Sequence, residues 1–391
     1  MTPGIYLHIP FCKSRCSYCD FATDVYRDGD AVERYVDALC CELKKFPPLI
    51  NADNADPKDS DLLDLRSSGA NSSLFIDTIY FGGGTPSLLT PSQLERILNA
   101  VIDRFDVSPG AEITMEMNPA TVTPETLRDY KSLGVNRASF GVQTFDDRAL
   151  KLLARGHDAD DARTTFRMLR AAGFDNISFD LIAGLPNQTL ESWSRNLDEA
   201  IAMSPEHLSL YLLEIHQGTP LAEQVRSGRQ PRPDDDLAAA MYEMMLDRLF
   251  AAGYEQYEIS NFCRPGLESR HNTKYWRLEP VYGFGVSAHS FDGHERYANE
   301  RDTAKYVAMI ENTGSAEVSR EVIDAASEFA FLGLRLSDGI DLADYHDRFG
   351  VALSDKIEHV SNKELIEIVE GRLRLTRNGM LFSNEVFAEF V

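Results

Sequence analysis

The sequence has no run approaching the roughly 20 consecutive apolar residues that cross a bilayer as a helix, and its first residues lack the basic-then-apolar layout of a secretory signal. Neither a membrane anchor nor an exported product is expected, which leaves the cytoplasm as the expected compartment. Positive charge is scarce: 39 Lys and Arg stand against 62 Asp and Glu, a formal net charge of −23. Partners gripped through their phosphates need clustered cations, so nucleic acid is not expected as a substrate, although a local basic pocket can still hold an anion. Cysteine is sparse too, with six in 391 residues. Three of the six crowd into CKSRCSYC, residues 12–19, which in a reducing compartment reads as metal or cluster chemistry rather than disulfides. Cys40, Cys41 and Cys263 read as ordinary small residues of the interior.

Strand-like and helix-like segments alternate over the first two thirds of the chain. Strands are expected at Gly4–Ile9, Ile76–Phe81, Glu112–Met117, Arg137–Val142, Ile177–Ile182 and Leu208–Leu213. Between them lie helical patterns at Ala31–Phe46, Pro91–Phe105, Pro124–Leu133, Asp146–Leu153, Asp160–Ala172 and Leu190–Met203. Six β/α units predict an α/β fold with parallel strands, either an open doubly wound sheet or a barrel, with chemistry at the C-terminal strand ends. This unit spans 1–235, interrupted by an acidic, Ser/Asn/Pro-rich insertion at 47–74 that reads as solvated chain. Residues 236–319 form an α+β extension with a helix at Asp234–Ala252, strands at Tyr254–Ile259 and Tyr282–Ser290, and the string HNTKYW at 271–276. Residues 320–391 make a small α+β tail: helices at Ala325–Arg335, Leu342–Phe349 and Asp355–Ile368, then a hairpin about Asn378-Gly379. This tail resembles a winged helix, but its many acids argue for covering the site or meeting a partner rather than reading DNA.

Three thiols leave a tetrahedral centre one ligand short. A structural zinc ion would have to recruit His8 or Asp20, since no second cysteine pair follows at finger or ribbon spacing. A [4Fe–4S] cluster held by three thiolates instead leaves one iron open to a small chelating molecule. The spacing C-x3-C-x2-C, with Tyr18 before the last cysteine and a strand just ahead, resembles the signature of the radical S-adenosylmethionine family. That family's open iron chelates the methionyl part of S-adenosylmethionine, whose reductive cleavage yields a 5′-deoxyadenosyl radical. Its fold would be a partial (β/α)6 barrel. The glycine run Gly82-Gly83-Gly84 before Thr85-Pro86 follows the second strand, where bare backbone lets a ligand approach closely; in the family such a stretch cradles the methionine amine. Glu116, Gln143 and Asp180 close the third, fourth and fifth strands, at one mouth.

HIPFC, FGGGTPS and SFGVQTFDDRALKLLARGHD together are similar to the branch holding oxygen-independent coproporphyrinogen III oxidase and its haem-chaperone relatives. That resemblance runs over nearly the whole chain. It implies cofactor contacts at Tyr6, Tyr18, Gly83, Gly84, Thr85, Glu116, Gln143, Arg155 and Asp180, with Cys12, Cys16 and Cys19 on the cluster. Three departures favour chaperone over oxidase: Phe21 stands where the oxidase has a further cysteine, only five residues precede Tyr6, and HNxxYW matches a chaperone pattern that implicates His271 in holding haem. His289 is a weaker second candidate. The implied partners are haem or porphyrin, haem-accepting apo-proteins and an electron donor, with a homodimer possible. Oxidative decarboxylation of coproporphyrinogen propionates is the alternative reading, and radical modification of RNA a remote third.

Overall fold

The computed structural model describes residues 1–25, 29–47 and 73–390; the insertion read at 47–74 lies almost wholly outside them. Six parallel strands, β1 (Gly4–Ile9), β2 (Phe75–Gly83), β3 (Asp106–Met117), β4 (Arg137–Gln143), β5 (Ile177–Ala183) and β6 (His207–Leu212), lie side by side in chain order. The crossovers are helices α1 (Gly29–Lys45), α2 (Pro91–Ile102), α3 (Pro124–Ser132), α4 (Asp147–Leu152), α5 (Ala159–Ala171) and α6 (Leu190–Met203). Local chemistry starts these helices where they start. Thr90, Thr123, Asp158 and Thr189 are N-caps whose side chains accept from the N3 backbone while the N3 side chain caps in return, and Pro91 and Pro124 occupy the first helical turn.

The remaining strands extend this sheet rather than build a second one. After α7 (Pro220–Arg226) and α8 (Asp235–Ala251), β7 (Glu255–Glu258) and β8 (Asn261–Cys263) continue it antiparallel beyond β6. Following α9 (Arg270–Trp276), β9 (Val281–Phe284) pairs in parallel with β1. Strands β10 (His289–Phe291), β11 (Glu295–Asn299) and, beyond α10 (Thr303–Thr313), β12 (Glu317–Val322) then complete that edge. The order is β12-β11-β10-β9-β1-β2-β3-β4-β5-β6-β8-β7, an open twelve-stranded sheet and not a closed barrel. Residues 236–319 thus contribute to both of its edges. The single strand expected at Tyr282–Ser290 is instead β9 and β10, broken by a turn in which Gly285 and Ser287 take positive φ.

The helix-facing side of the sheet holds the core. Ile5, Leu7 and Ile9 of β1, Phe140 and Val142 of β4, and Phe179 and Leu181 of β5 are fully buried in one apolar cluster under the helices. Trp193 of α6 is sealed there against α8, its indole N–H donating to the Met241 carbonyl at 3.0 Å. Its truncation to alanine would cost about 3–5 kcal/mol.

The tail has a second core, built by residues 330–390 with Ile259. After α11 (Ala325–Gly333) come β13 (Ile340–Asp341), α12 (Leu342–Phe349) and α13 (Ser354–His359), then β14 (Ile366–Val369) and β15 (Arg372–Leu375) in a three-stranded sheet β13-β15-β14. The helix expected over Asp355–Ile368 therefore stops near its middle. The hairpin turns at Glu370-Gly371, both at positive φ as a tight two-residue hairpin requires, while Asn378-Gly379 lies inside α14 (Arg377–Leu381), ahead of α15 (Ser383–Phe387). The alternation in IEIVEGRLRL carries the strand signal; a helical reading of its first half misses it.

Candidate active site

Because side chains alternate along a strand, burying Ile5, Leu7 and Ile9 under the helices turns Gly4, Tyr6 and His8 to the other face of the sheet. Register carries this across: Tyr6 pairs with Tyr80, Tyr80 with Thr114, and Thr114 with Arg137. The inner face is accordingly polar, holding Thr78, Tyr80, Glu116, Arg137, Ser139 and Asp180. At its C-terminal end opens a cavity of about 620 Å³, of a size that takes small-molecule cofactors, whose wall includes Cys12, Cys16, Cys19 and Tyr18. Gly83, Gly84, Glu116, Gln143, Arg155 and Asp180 line it too, so ten residues read from the sequence meet in one space.

The cysteine loop is pinned from several sides. Phe11–Cys12 pairs with Asp24–Val25 as a short parallel ribbon. Ser17 N donates to the Leu153 carbonyl at 2.9 Å, Leu221 N to the Ser17 carbonyl at 2.8 Å, and Arg301 to the Asp20 carbonyl at 3.0 Å. Burial pushes the Cys12 and Cys19 thiols up; a hydrogen bond from the Thr85 hydroxyl, 3.5 Å away, draws Cys12 back, and one from the Phe21 backbone does so for Cys19. Arg155, arriving from the loop after α4, donates to Cys16 Sγ at 3.4 Å, Tyr18 Oη at 3.4 Å, Asn118 Oδ1 at 2.5 Å and the Gly141 carbonyl at 2.7 Å. Asn118 Nδ2 in turn donates to Thr85 Oγ1 at 2.7 Å. One guanidinium and one amide thus tie the thiols to three strand ends.

Bare backbone is required at Gly84, where a Cβ would sit 2.6 Å from the Pro10 carbonyl oxygen; a Cβ on Gly141 would sit 2.6 Å from Gln143 Nε2, a side-chain end that can move. Gln143 itself has φ 68°, beside a register shift between β4 and β5 that re-aims its side chain.

Two half-buried carboxyl groups face this space. Glu116 accepts from Tyr80 Oη at 2.8 Å and from Gly83 N at 3.1 Å, and burial pushes it up to about 7, with Asp180 adding to the rise. Asp180 is raised to about 6 by burial, against the pull of the Ser209 hydroxyl and the Arg137 and Arg155 cations. Near neutral pH both can switch between acceptor-only and donor forms.

Three expected site residues do not reach the cavity wall. Thr85 stands behind Cys12 as its hydrogen-bond donor. Tyr6 lies beneath, stacked on Tyr80 with ring centroids 6.1 Å apart and its hydroxyl 3.1 Å from His8 Nδ1. His271, expected at the haem, sits in α9 at the opposite end of the inner face, 1% exposed. Thr78 Oγ1 lies 2.9 Å from its Nδ1 and Tyr275 Oη 3.2 Å from its Nε2, while burial lowers its pKa to about 3. Both nitrogens are occupied, and the ring lies outside the cavity. A fourth residue, His289, the weaker haem candidate, lies on β10 with an exposed side chain and is also not among the cavity residues. Asn118, Ser209, Tyr211 and His216 are site residues that the motifs do not mark; their position just inside or beyond a strand end is the one available signal.

The zinc alternative loses its fourth ligand. His8 Nε2 is 2.9 Å from the Ala22 carbonyl and its Nδ1 faces Tyr6, while Asp20 faces His216 at 3.6 Å. Among the described residues no group of three His, Cys, Asp or Glu is close enough to hold a single metal ion. A [4Fe–4S] cluster fits better: three thiols line one cavity, all three accept hydrogen bonds as cluster sulfurs do, and Arg155 Nε is buried there without a partner.

Comparison with known proteins is consistent with this. Residues 6–200 match the model of the radical SAM superfamily, and residues 321–382 that of the HemN C-terminal domain. The chain is 34% identical to "Heme chaperone HemW" of Bacillus subtilis over 99% of its own length and 98% of that protein. It is also 34% identical to the mouse mitochondrial "Radical S-adenosyl methionine domain-containing protein 1", over 86% of this chain and 74% of that one. Coproporphyrinogen III oxidase (HemN) from Escherichia coli superposes with a TM-score of 0.81 over 100% of this chain and 90% of that one, at 22% identity, a likeness of fold.

Proposed function

Since the chain belongs to the radical SAM superfamily, in the branch of the haem chaperones, we propose that it binds haem and delivers it to haem-accepting apo-proteins in the cytoplasm. The observation that carries this is end-to-end similarity to proteins named as haem chaperones, in a chain whose cavity offers three thiols and no fourth cysteine: Phe21 follows the motif. Cys12, Cys16 and Cys19 would hold the [4Fe–4S] cluster, and when bound that cluster supplies single-electron chemistry toward S-adenosylmethionine. Arg155 and Thr85 hydrogen-bond the sulfurs of Cys16 and Cys12, contacts that would tune the potential at which an electron donor can work. Gly83 and Gly84 leave room for the methionyl amine, Glu116 and Asp180 supply acceptors, and Gln143 an amide.

The oxidase reading shares this machinery, and so the two are separated on one sample. Anaerobically reconstituted protein, titrated with haem, is expected to bind about one equivalent and to form no protoporphyrinogen from coproporphyrinogen III, S-adenosylmethionine and a strong reductant. Product formation without haem uptake would overturn the chaperone reading.

A further inference from the structure

His271 lies away from the cavity, whereas another histidine stands at its mouth. We propose that haem docks at the mouth of the cluster cavity, with His216 as an axial ligand of its iron. The mouth is framed by the end of the cysteine loop, the segment leaving β6, and the C-terminal helices α14 and α15, which present Met380, Leu381 and Ser383. His216 lines this opening with its side chain 44% exposed. Its Nδ1 lies 3.6 Å from Asp20 Oδ2 and its Nε2 3.6 Å from Glu214 Oε2, too long for hydrogen bonds. By contrast His8, His207 and His271 have both ring nitrogens engaged.

The surroundings suit a metalloporphyrin. A carboxylate stands beside each ring nitrogen; if Asp20 closes on Nδ1 it leaves the Nε2 lone pair for a metal, the arrangement that orients metal-binding histidines, and Glu214, on an exposed side chain, can swing aside. Phe21 is 63% exposed and Tyr211 43% exposed at the same opening. A macrocycle would cover both rings, removing apolar surface from water. Arg15 lines the cavity as well and can pair with a propionate, which answers the overall negative charge locally.

The inference rests on the chaperone reading, and ferric haem titrated into cluster-loaded protein separates the two. Wild type is expected to give a histidine-ligated Soret band and electron paramagnetic spectrum. His216→Ala should weaken binding roughly ten- to hundredfold with loss of that signature, and Asp20→Asn should weaken it less while keeping it. His216→Tyr should convert the spectrum to a phenolate-ligated, high-spin form, while His271→Gln, with cluster absorbance retained, should leave it as in wild type. A wild-type spectrum and affinity in His216→Ala would overturn the site while leaving the chaperone reading intact. A wild type that takes up no haem would overturn both.

Discussion

Glu116 makes the clearest quantitative prediction, because its ionisation controls what the cavity offers a cationic ligand. Burial, helped by Asp180, raises it to about 7 against the hydrogen bonds from Tyr80 and Gly83 and the more distant Arg137 cation. S-adenosylmethionine carries an ammonium and a sulfonium, so it should prefer the ionised carboxylate. With a free-state pKa of about 7, about nine tenths of Glu116 is ionised at pH 8 and about one tenth at pH 6. Affinity should therefore fall about tenfold, or about 1.4 kcal/mol, from pH 8 to pH 6. Glu116→Gln keeps the size and one acceptor oxygen but cannot ionise, and should cut the fall over that interval to about twofold, the part that belongs to Asp180, which is about half protonated at pH 6. Calorimetric titration of cluster-loaded protein with S-adenosylmethionine at pH 6, 7 and 8 reads both proteins. Identical slopes in the two would refute the reasoning, since the linked proton would then lie elsewhere.

Other outcomes follow from the same geometry. Gly84→Ala places a methyl 2.6 Å from the Pro10 carbonyl, a backbone atom that cannot swing away; the variant should fold but bind S-adenosylmethionine at least tenfold more weakly, as read by the same titration. Arg155→Lys replaces a fork of four contacts by a point charge, leaving Asn118 and Gly141 short of donors. Denaturant unfolding should show a loss of about 2–3 kcal/mol, and a chelator should strip the cluster faster. Glu42, buried in α1 and accepting from Tyr306, Gly285 and Asn299, is raised by burial from 4.5 to about 7. Its folded form holds the proton longer than its unfolded form, so it weakens the fold as pH rises from about 4.5 to about 7, by up to about 3 kcal/mol. Glu42→Gln should remove its share of that slope from denaturation curves taken across the interval, leaving the shares of Glu116 and Asp180, and an unchanged slope would place the titration on other groups.

Much of the site was legible before any coordinates. CKSRCSYC and the glycine run are local patterns, and residues placed just past consecutive parallel strands must share one edge of the sheet, whatever the details of packing. That is why ten motif residues converge on one cavity. The tail is less legible: IEIVEGRLRL divides between a helix and a strand, because a short apolar run supports either period until a neighbouring strand selects one. HNxxYW is ambiguous for a related reason. Histidine beside tyrosine and tryptophan is compatible with either a ligand or a core contact, and nothing local tells which way the ring faces. What the sequence by itself determined is the identity and order of the chemical groups: three thiols, bare backbone after β2, and acids and amides at the strand ends. Tertiary structure decided their partners. The register that turns Tyr6 and Tyr80 over His271 removes it from the cavity, and the α4 crossover delivers Arg155 to Cys16 across 139 residues of chain. Facing and long-range contact are properties of sheet register and helix packing, which no stretch of neighbouring residues encodes.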